Sequence, residues 1–345
     1  MIPIHFRKNT PIIYLSGFFS AVKKGPNGKE MSLKEVTEYW RKKSGAKYRC
    51  YSAMYLAPKM KYFTKRMNEV YELSLKREDG ILMDSGAHSF HNFMKAATGK
   101  ISSKKRQKMS DVASLRDEHI AAYIDFIKAD GRKWDLHVNF DYVHDPEECY
   151  RVQHVLWKAG ANPMPVVHGD EKTFEYFRRY CKDGAKIIGL GTGGINNRAA
   201  WDKKRVYYDM IFNLAAKHGV RIHGFAQTYL SMMFFYDWYS VDSATWAKCS
   251  AFGKLIFPDT KSNTLRMIHV SDRHSVASDL SYNKSPKNVR KAIERQINDY
   301  GFDFEKVRTN LIERYCFNAH IYAQRVHELK EIVEASRAKW KSLLL

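Results

Sequence analysis

Two hydrophobic rhythms alternate along the chain. Short apolar runs that stop at a polar or small residue recur at residues 12–15, 80–84, 134–141, 163–168, 185–191, 220–225 and 238–243. Between them lie stretches whose apolar residues stand three and four apart, the spacing of an amphipathic helix. These predict helices over 32–43, 58–76, 114–128, 146–160, 173–181 and 205–218. Ser32 and Glu35 form a capping-box pattern, and glycines close several of the others. The stretch 48–56 is ambiguous between strand and loop. Further helices are expected over 286–300 and, after a break at Gly301, over 303–342, where Val307, Leu311, Tyr315, Ala319, Tyr322 and Val326 share one face.

Strands alternating with helices argue for βα units and a parallel sheet. Seven such strands are visible. An eighth in 254–257 or 264–270 would close a (β/α)8 TIM-like barrel, so the fold class expected is α/β. The domains expected are a catalytic barrel over 1–285, with basic N-terminal and loop elaborations, and a helical extension over 286–345 packed on it.

In a barrel of this kind the chemistry lies at the C-terminal ends of the strands. Asp84, Asp141, His168, Gly189, His223 and Asp242 all end predicted strands and so converge on one mouth. Four of them have an ordinary alternative. Asp84 before Ser85-Gly86 is also a turn or helix cap, Asp141 before Tyr142 an N-cap, and His168 and His223 satisfied core histidines. Ser85, Gly86 and Ala87, and the glycines at 189, 191, 193 and 194, carry little side chain and leave room for a flat ligand.

Charge adds a partner class. The chain holds 58 Lys and Arg against 37 Asp and Glu, a net charge of +21. Residues 1–66 supply fifteen basic residues against three acidic, Arg49 among them, and 254–295 supply nine against four. The stretch 99–110 adds Lys100, Lys104, Lys105, Arg106 and Lys108 with no acid. Charge gathered into three segments is the pattern of a phosphate-gripping face. The tyrosines at 48, 51 and 55 lie among these charges, where they either stack on bases or join the core.

The five cysteines are odd in number, widely spaced and without a C-x-x-C, which indicates a reducing, cytoplasmic compartment and no structural zinc. Arg7 and Lys8 before an apolar run faintly imitate a signal peptide, but the run is short and broken by Ser16-Gly17. No stretch approaches a membrane span.

The order of segments over residues 82–246 resembles the tRNA-guanine transglycosylases, and more closely their DNA-acting relatives that insert 7-deazaguanine bases. Asp84-Ser85-Gly86-Ala87, Asn139-Phe140-Asp141, Gly189-Leu190, His223-Gly224 and the run Ser240-Val241-Asp242-Ser243-Ala244-Thr245-Trp246 carry the likeness. The resemblance implies base exchange in DNA, with Asp242 as nucleophile, Asp84 as general acid/base and a free 7-deazaguanine base as co-substrate. Asp141 would accept from the base's N1 and exocyclic amine, and the Gly189 or Leu190 amide would donate to O6. His223, Gly224, Ser85 and His88 would bound the base. His168 stands where the tRNA enzymes place Gln. No cofactor is implied.

The chemistry is coherent by itself. Displacing a base at C1′ passes through an oxocarbenium-like state that a carboxylate stabilises and traps, while a second carboxyl group manages protons. A base inside a duplex must be flipped or presented on an open strand, by the enzyme or by an accessory protein. The tRNA enzymes carry a C-terminal Cys-x-Cys-x-x-Cys…His zinc element, of which this chain has only Cys316 and His320. That favours DNA over tRNA as partner. Two other readings stand beside this one. Asp141, His168, His223 and Asp242, with His137 and His144 nearby, also suit the ligand shell of a metal-dependent barrel hydrolase. The basic segments alone would suit a non-catalytic nucleic-acid binder, which gives no reason for three strand-end carboxylates.

Overall fold

The computed structural model describes residues 11–17, 24–60, 64–87, 89–90, 109–141, 145–169, 172–191, 198–227, 229–259, 264–271 and 281–326. Eight strands belong to one parallel sheet and alternate with helices: β1 (Ile12–Ser16), β2 (Tyr48–Ser52), β3 (Gly80–Asp84), β4 (Leu136–His137), β5 (Val166–His168), β6 (Ile187–Gly191), β7 (Arg221–Phe225) and β8 (Trp238–Ser243). The helices that precede β8 are α1 (Leu33–Ser44), α2 (Ala53–Leu56), α3 (Lys65–Lys76), α4 (Met109–Asp130), α5 (Pro146–Lys158), α6 (Thr173–Lys182), α7 (Arg198–His218) and α8 (Leu230–Phe235). After β8 come α9 (Thr245–Ala251), α10 (Lys287–Asp299), α11 (Phe304–Thr309) and α12 (Leu311–His320). Among the described residues no helix is long and apolar enough to cross a membrane.

The chain forms two compact units, one built mainly from residues 48–194 and 206–225, the other from 4–47, 195–205 and 226–345. In the first, β2 through β7 follow one another in chain order. The pairs β2·β3, β3·β4, β5·β6 and β6·β7 are parallel, and a parallel bridge between Val138 and Met164 joins the segments around β4 and β5. The Met164 amide donates to His137 O (2.7 Å) and the Asn139 amide to Met164 O (2.9 Å). Succession in chain order is what right-handed crossovers produce. Ile81, Leu82 and Met83 are all fully buried, so β3 is covered on both faces, as its unbroken apolar run requires.

The second unit pairs β1 with β8 in parallel, setting Tyr14 opposite Asp242. Helix α1 starts at the Ser32–Glu35 capping box and buries Leu33, Val36 and Trp40, the last 5.4 Å from the Trp246 ring. Asn318 on α12 accepts from the Ile256 amide and donates to Lys254 O, which fastens β9 (Lys254–Asp259) to that helix.

Three expectations are corrected. The eighth strand is β2, in the stretch that read as ambiguous, whereas residues 254–259 and 264–269 pair antiparallel as β9 and β10 (Thr264–His269) in a separate two-stranded sheet. Composition hid β2, because its buried residues are Arg49 and Tyr51, and Arg49 lies 5.3 Å from the Tyr51 ring centroid. The C-terminal helical run breaks at Asn310, which is extended and whose side chain accepts from the Ile312 amide (3.0 Å) while donating to Gly25 O (2.9 Å). Such side-chain bonds to backbone compete with helix continuation. Helix α3 begins at the Thr64 cap and not at 58, for the same reason.

Candidate functional site

Asp84 is the last residue of β3. Its Oδ2 accepts from the Gly86 amide at 3.0 Å, so one carboxylate oxygen does fold the turn. Gly86 has φ +83, and an added Cβ there would come within 2.6 Å of Met54 Cβ. Ser85 is fully buried and its Oγ accepts from the Ala87 amide. Opposite Asp84 in the β2 register stands Ser52, whose buried Oγ has no protein hydrogen-bond partner. Nothing in the sequence pattern singled Ser52 out.

Asp141 follows β4 and meets the end of β5, where His168 Nε2 lies 2.8 Å from Asp141 Oδ2. Both side chains keep about a sixth of their surface exposed, 16% and 17%. Asp84 and Asp141 belong to one neighbourhood: each raises the pKa of Tyr123, whose phenol is pushed well up first by burial, then by the Asp84 charge. Tyr123 donates to Val138 O at 2.6 Å and so braces the segment that carries Asp141.

Beside this pair run the glycines of β6. Gly189 lies opposite His223 and Gly191 opposite Phe225 in the β7 register, with Leu190 opposite Gly224. His223 is fully buried, its ring 4.6 Å from that of Phe225. The Gly189 amide donates to Pro165 O (2.8 Å), so of the two amides that the resemblance offers to a base's O6, this one is engaged in the sheet. The glycines do not leave empty room for a flat ligand, as expected from their size. A Cβ at Gly189 would fall 2.5 Å from the Phe225 ring and one at Gly191 2.5 Å from His168 Nδ1. The space belongs to the protein's own rings, and it is the close approach of His168 that needs Gly191.

Asp242 lies in the second unit, next to last in β8. Ser16 Oγ donates to its Oδ2 at 2.8 Å and the Ala226 amide to its Oδ1 at 2.8 Å. The Ser16 carbonyl in turn accepts from Trp246 Nε1 at 2.8 Å. Ala226 holds φ +52, a left-handed conformation that a residue with a Cβ seldom adopts. Sequence reasoning saw Ser16 only as the end of a strand and missed Ala226 altogether, because both supports arise from contacts remote in the chain.

Arg49, expected among the phosphate-gripping cations, is 1% exposed and cannot reach a phosphate from there. Lys287, Lys291 and Arg295 on α10 form an exposed stripe one turn apart. His88, Lys100, Lys104, Lys105, Arg106, Lys108 and His144 lie outside the described residues, as do Gly193 and Gly194. Burial pushes the Cys181 and Cys249 thiols up to about 11, so neither is poised as a thiolate. Among the described residues no group of three His, Cys, Asp or Glu side chains is placed to hold a metal ion. No family model and no curated protein matches the chain.

Proposed function

We propose that the protein is a DNA base-exchange enzyme, replacing guanine with a 7-deazaguanine base through a covalent aspartyl-glycosyl intermediate. In this reading Asp242 is the nucleophile, Asp84 the general acid/base and Asp141 the carboxylate that reads the base. A carboxylate oxygen of Asp242 attacks C1′ as the C1′–N9 bond breaks, and Asp84 gives a proton to the departing guanine. The incoming base then loses its N9 proton to Asp84 and displaces Asp242 from C1′. Two displacements give net retention. Asp141, whose Oδ2 is engaged by His168, offers Oδ1 to the base's N1–H or exocyclic amine. The basic segments supply a salt-sensitive grip on phosphates.

What supports the reading most is the way the carboxylates are held. Asp84 and Asp242 stand at the C-terminal ends of parallel strands and Asp141 in the segment that follows β4, each with at least one oxygen accepting from a donor of the fold. The test is incubation with labelled guanine and either DNA or tRNA, followed by trapping of the protein–nucleic acid adduct and mapping of its attachment. Label is expected in DNA and the adduct at Asp242. Asp242→Asn should lower exchange by at least about a thousandfold while DNA binding stays near wild type, because the nucleophile acts in the chemical step. Attachment at Asp84 would swap the two roles, incorporation into tRNA alone would move the substrate, and full exchange by the Asp242→Asn protein would remove the mechanism.

A further inference from the structure

The turn that leaves β7 contains a buried carboxamide with no hydrogen bond. Gln227 is 0% exposed, and neither its Oε1 nor its Nε2 meets a protein partner. The other fully buried carboxamides among the described residues are at least half satisfied: Asn139 Nδ2 donates to Cys149 O, Gln153 Nε2 to Pro163 O, and Asn318 is bonded at both ends. A buried amide missing every partner is costly and uncommon in a native fold. One residue earlier, Ala226 is exposed, is held in the left-handed region and uses its amide to support Asp242. Two unfavourable features thus occupy consecutive residues at the support of the proposed nucleophile. Strain of this kind persists where a functional state relieves it.

The chemistry of the missing partner is restricted. A carboxamide is satisfied in one encounter only by a group that offers a donor and an acceptor side by side. Phosphate offers acceptors alone and would leave Oε1 unmet. The edge of a purine-type base offers both, and a carboxamide pairs with such an edge through two parallel hydrogen bonds. We propose that Gln227 is a substrate-reading residue. When a purine-type base enters the site at Asp242, the Ala226–Gln227 turn releases the carboxamide, which accepts from a ring or exocyclic N–H of the base and donates to the neighbouring acceptor. The inference rests on the base-exchange reading and adds to it a residue that the resemblance does not supply. It also gives the left-handed Ala226 a purpose, as the strained hinge of a turn that moves when the base binds.

The test uses binding and needs no catalysis. Equilibrium dialysis of the full chain against radiolabelled free guanine is compared for wild type and Gln227→Met, which keeps length and volume but removes both hydrogen-bonding groups, with Tm measured in parallel. Expected is about tenfold weaker base binding with Tm equal to or above wild type, since the variant no longer buries an unsatisfied amide. Binding within twofold of wild type would overturn the inference while leaving base exchange standing. Weaker binding accompanied by a lower Tm would assign Gln227 to packing or to internal water and overturn it equally. A wild-type protein that takes up no guanine would remove the base-exchange reading itself.

Discussion

Asp84 keeps its orientation through the amide of Gly86, two residues on, whereas Asp242 keeps its own through Ser16, 226 positions away in the chain, and through Ala226. Asp141 falls between them, held by His168 from the next strand, 27 positions away. The first unit therefore builds its carboxylates from local turns and adjacent parallel strands. The second builds Asp242 from a pairing between opposite ends of the sheet's sequence. Local support forms as soon as the turn forms. Long-range support exists only after β1 and β8 have paired and the loop-closure cost has been met.

Acid should sharpen that contrast most. His137 lies in β4, the strand that leads to Asp141, and burial lowers its pKa from 6.5 to about 4. The unfolded chain takes up this proton near pH 6.5 and the folded chain only near pH 4. The neutral histidine's contribution is therefore complete above about pH 6.5 and is lost as pH falls toward 4, by about 3 kcal/mol at that end. Neither β1 nor β8 contains a histidine. Denaturant midpoints between pH 7 and 4 should fall less steeply for His137→Leu than for wild type, and hydrogen exchange at pH 5 should rise first around β4. Parallel acid limbs for the two proteins would show that His137 is already solvated.

Ser16→Ala tests the long-range arm. Loss of one hydrogen bond to a charged carboxylate is worth about 1.5–3 kcal/mol, so kcat for exchange should fall roughly ten- to a hundredfold with KM nearly unchanged. Ser16→Thr should restore most of it, because the hydroxyl returns. A change in KM instead of kcat would mean that Ser16 serves binding and not the orientation of Asp242.

The smallest expected effect tests the local arm. A methyl at Gly191 would overlap His168 Nδ1, so Gly191→Ala should push the ring off Asp141 and weaken binding of free base about tenfold, the scale of one or two hydrogen bonds. His168→Ala should cost a similar factor, and the double substitution should cost no more than either alone, because both remove one contact. Additive losses would show that Gly191 and His168 act separately.

Much of the sheet was legible in the chain. The run 238–243 is β8 as it stands, and the strands ending at Asp84, Gly191 and Phe225 were placed from apolar runs that stop at a polar or small residue. What misled was composition at β2. Arg49 read as a phosphate-gripping cation and the stretch 48–56 as strand or loop, yet Arg49 and Tyr51 are both buried, the guanidinium close to the tyrosine ring. The hairpin β9–β10 misled in the opposite sense, because an apolar run states that a strand is buried and not which strand it pairs with.

By itself the sequence determined the alternation of strands and helices, the positions of Asp84 and Asp242 at strand ends, and the cap at Ser32, because each depends on residues within one turn or one strand period. Only the tertiary structure decided which strand is the eighth and that the β6 glycines make way for His168 and Phe225. It alone also decided that Ser16 and Ala226 hold Asp242, and that Gln227 is buried with its amide unmet. The physical reason is distance along the chain. These features arise where segments tens to hundreds of residues apart meet, and no local propensity or spacing records which segments those will be.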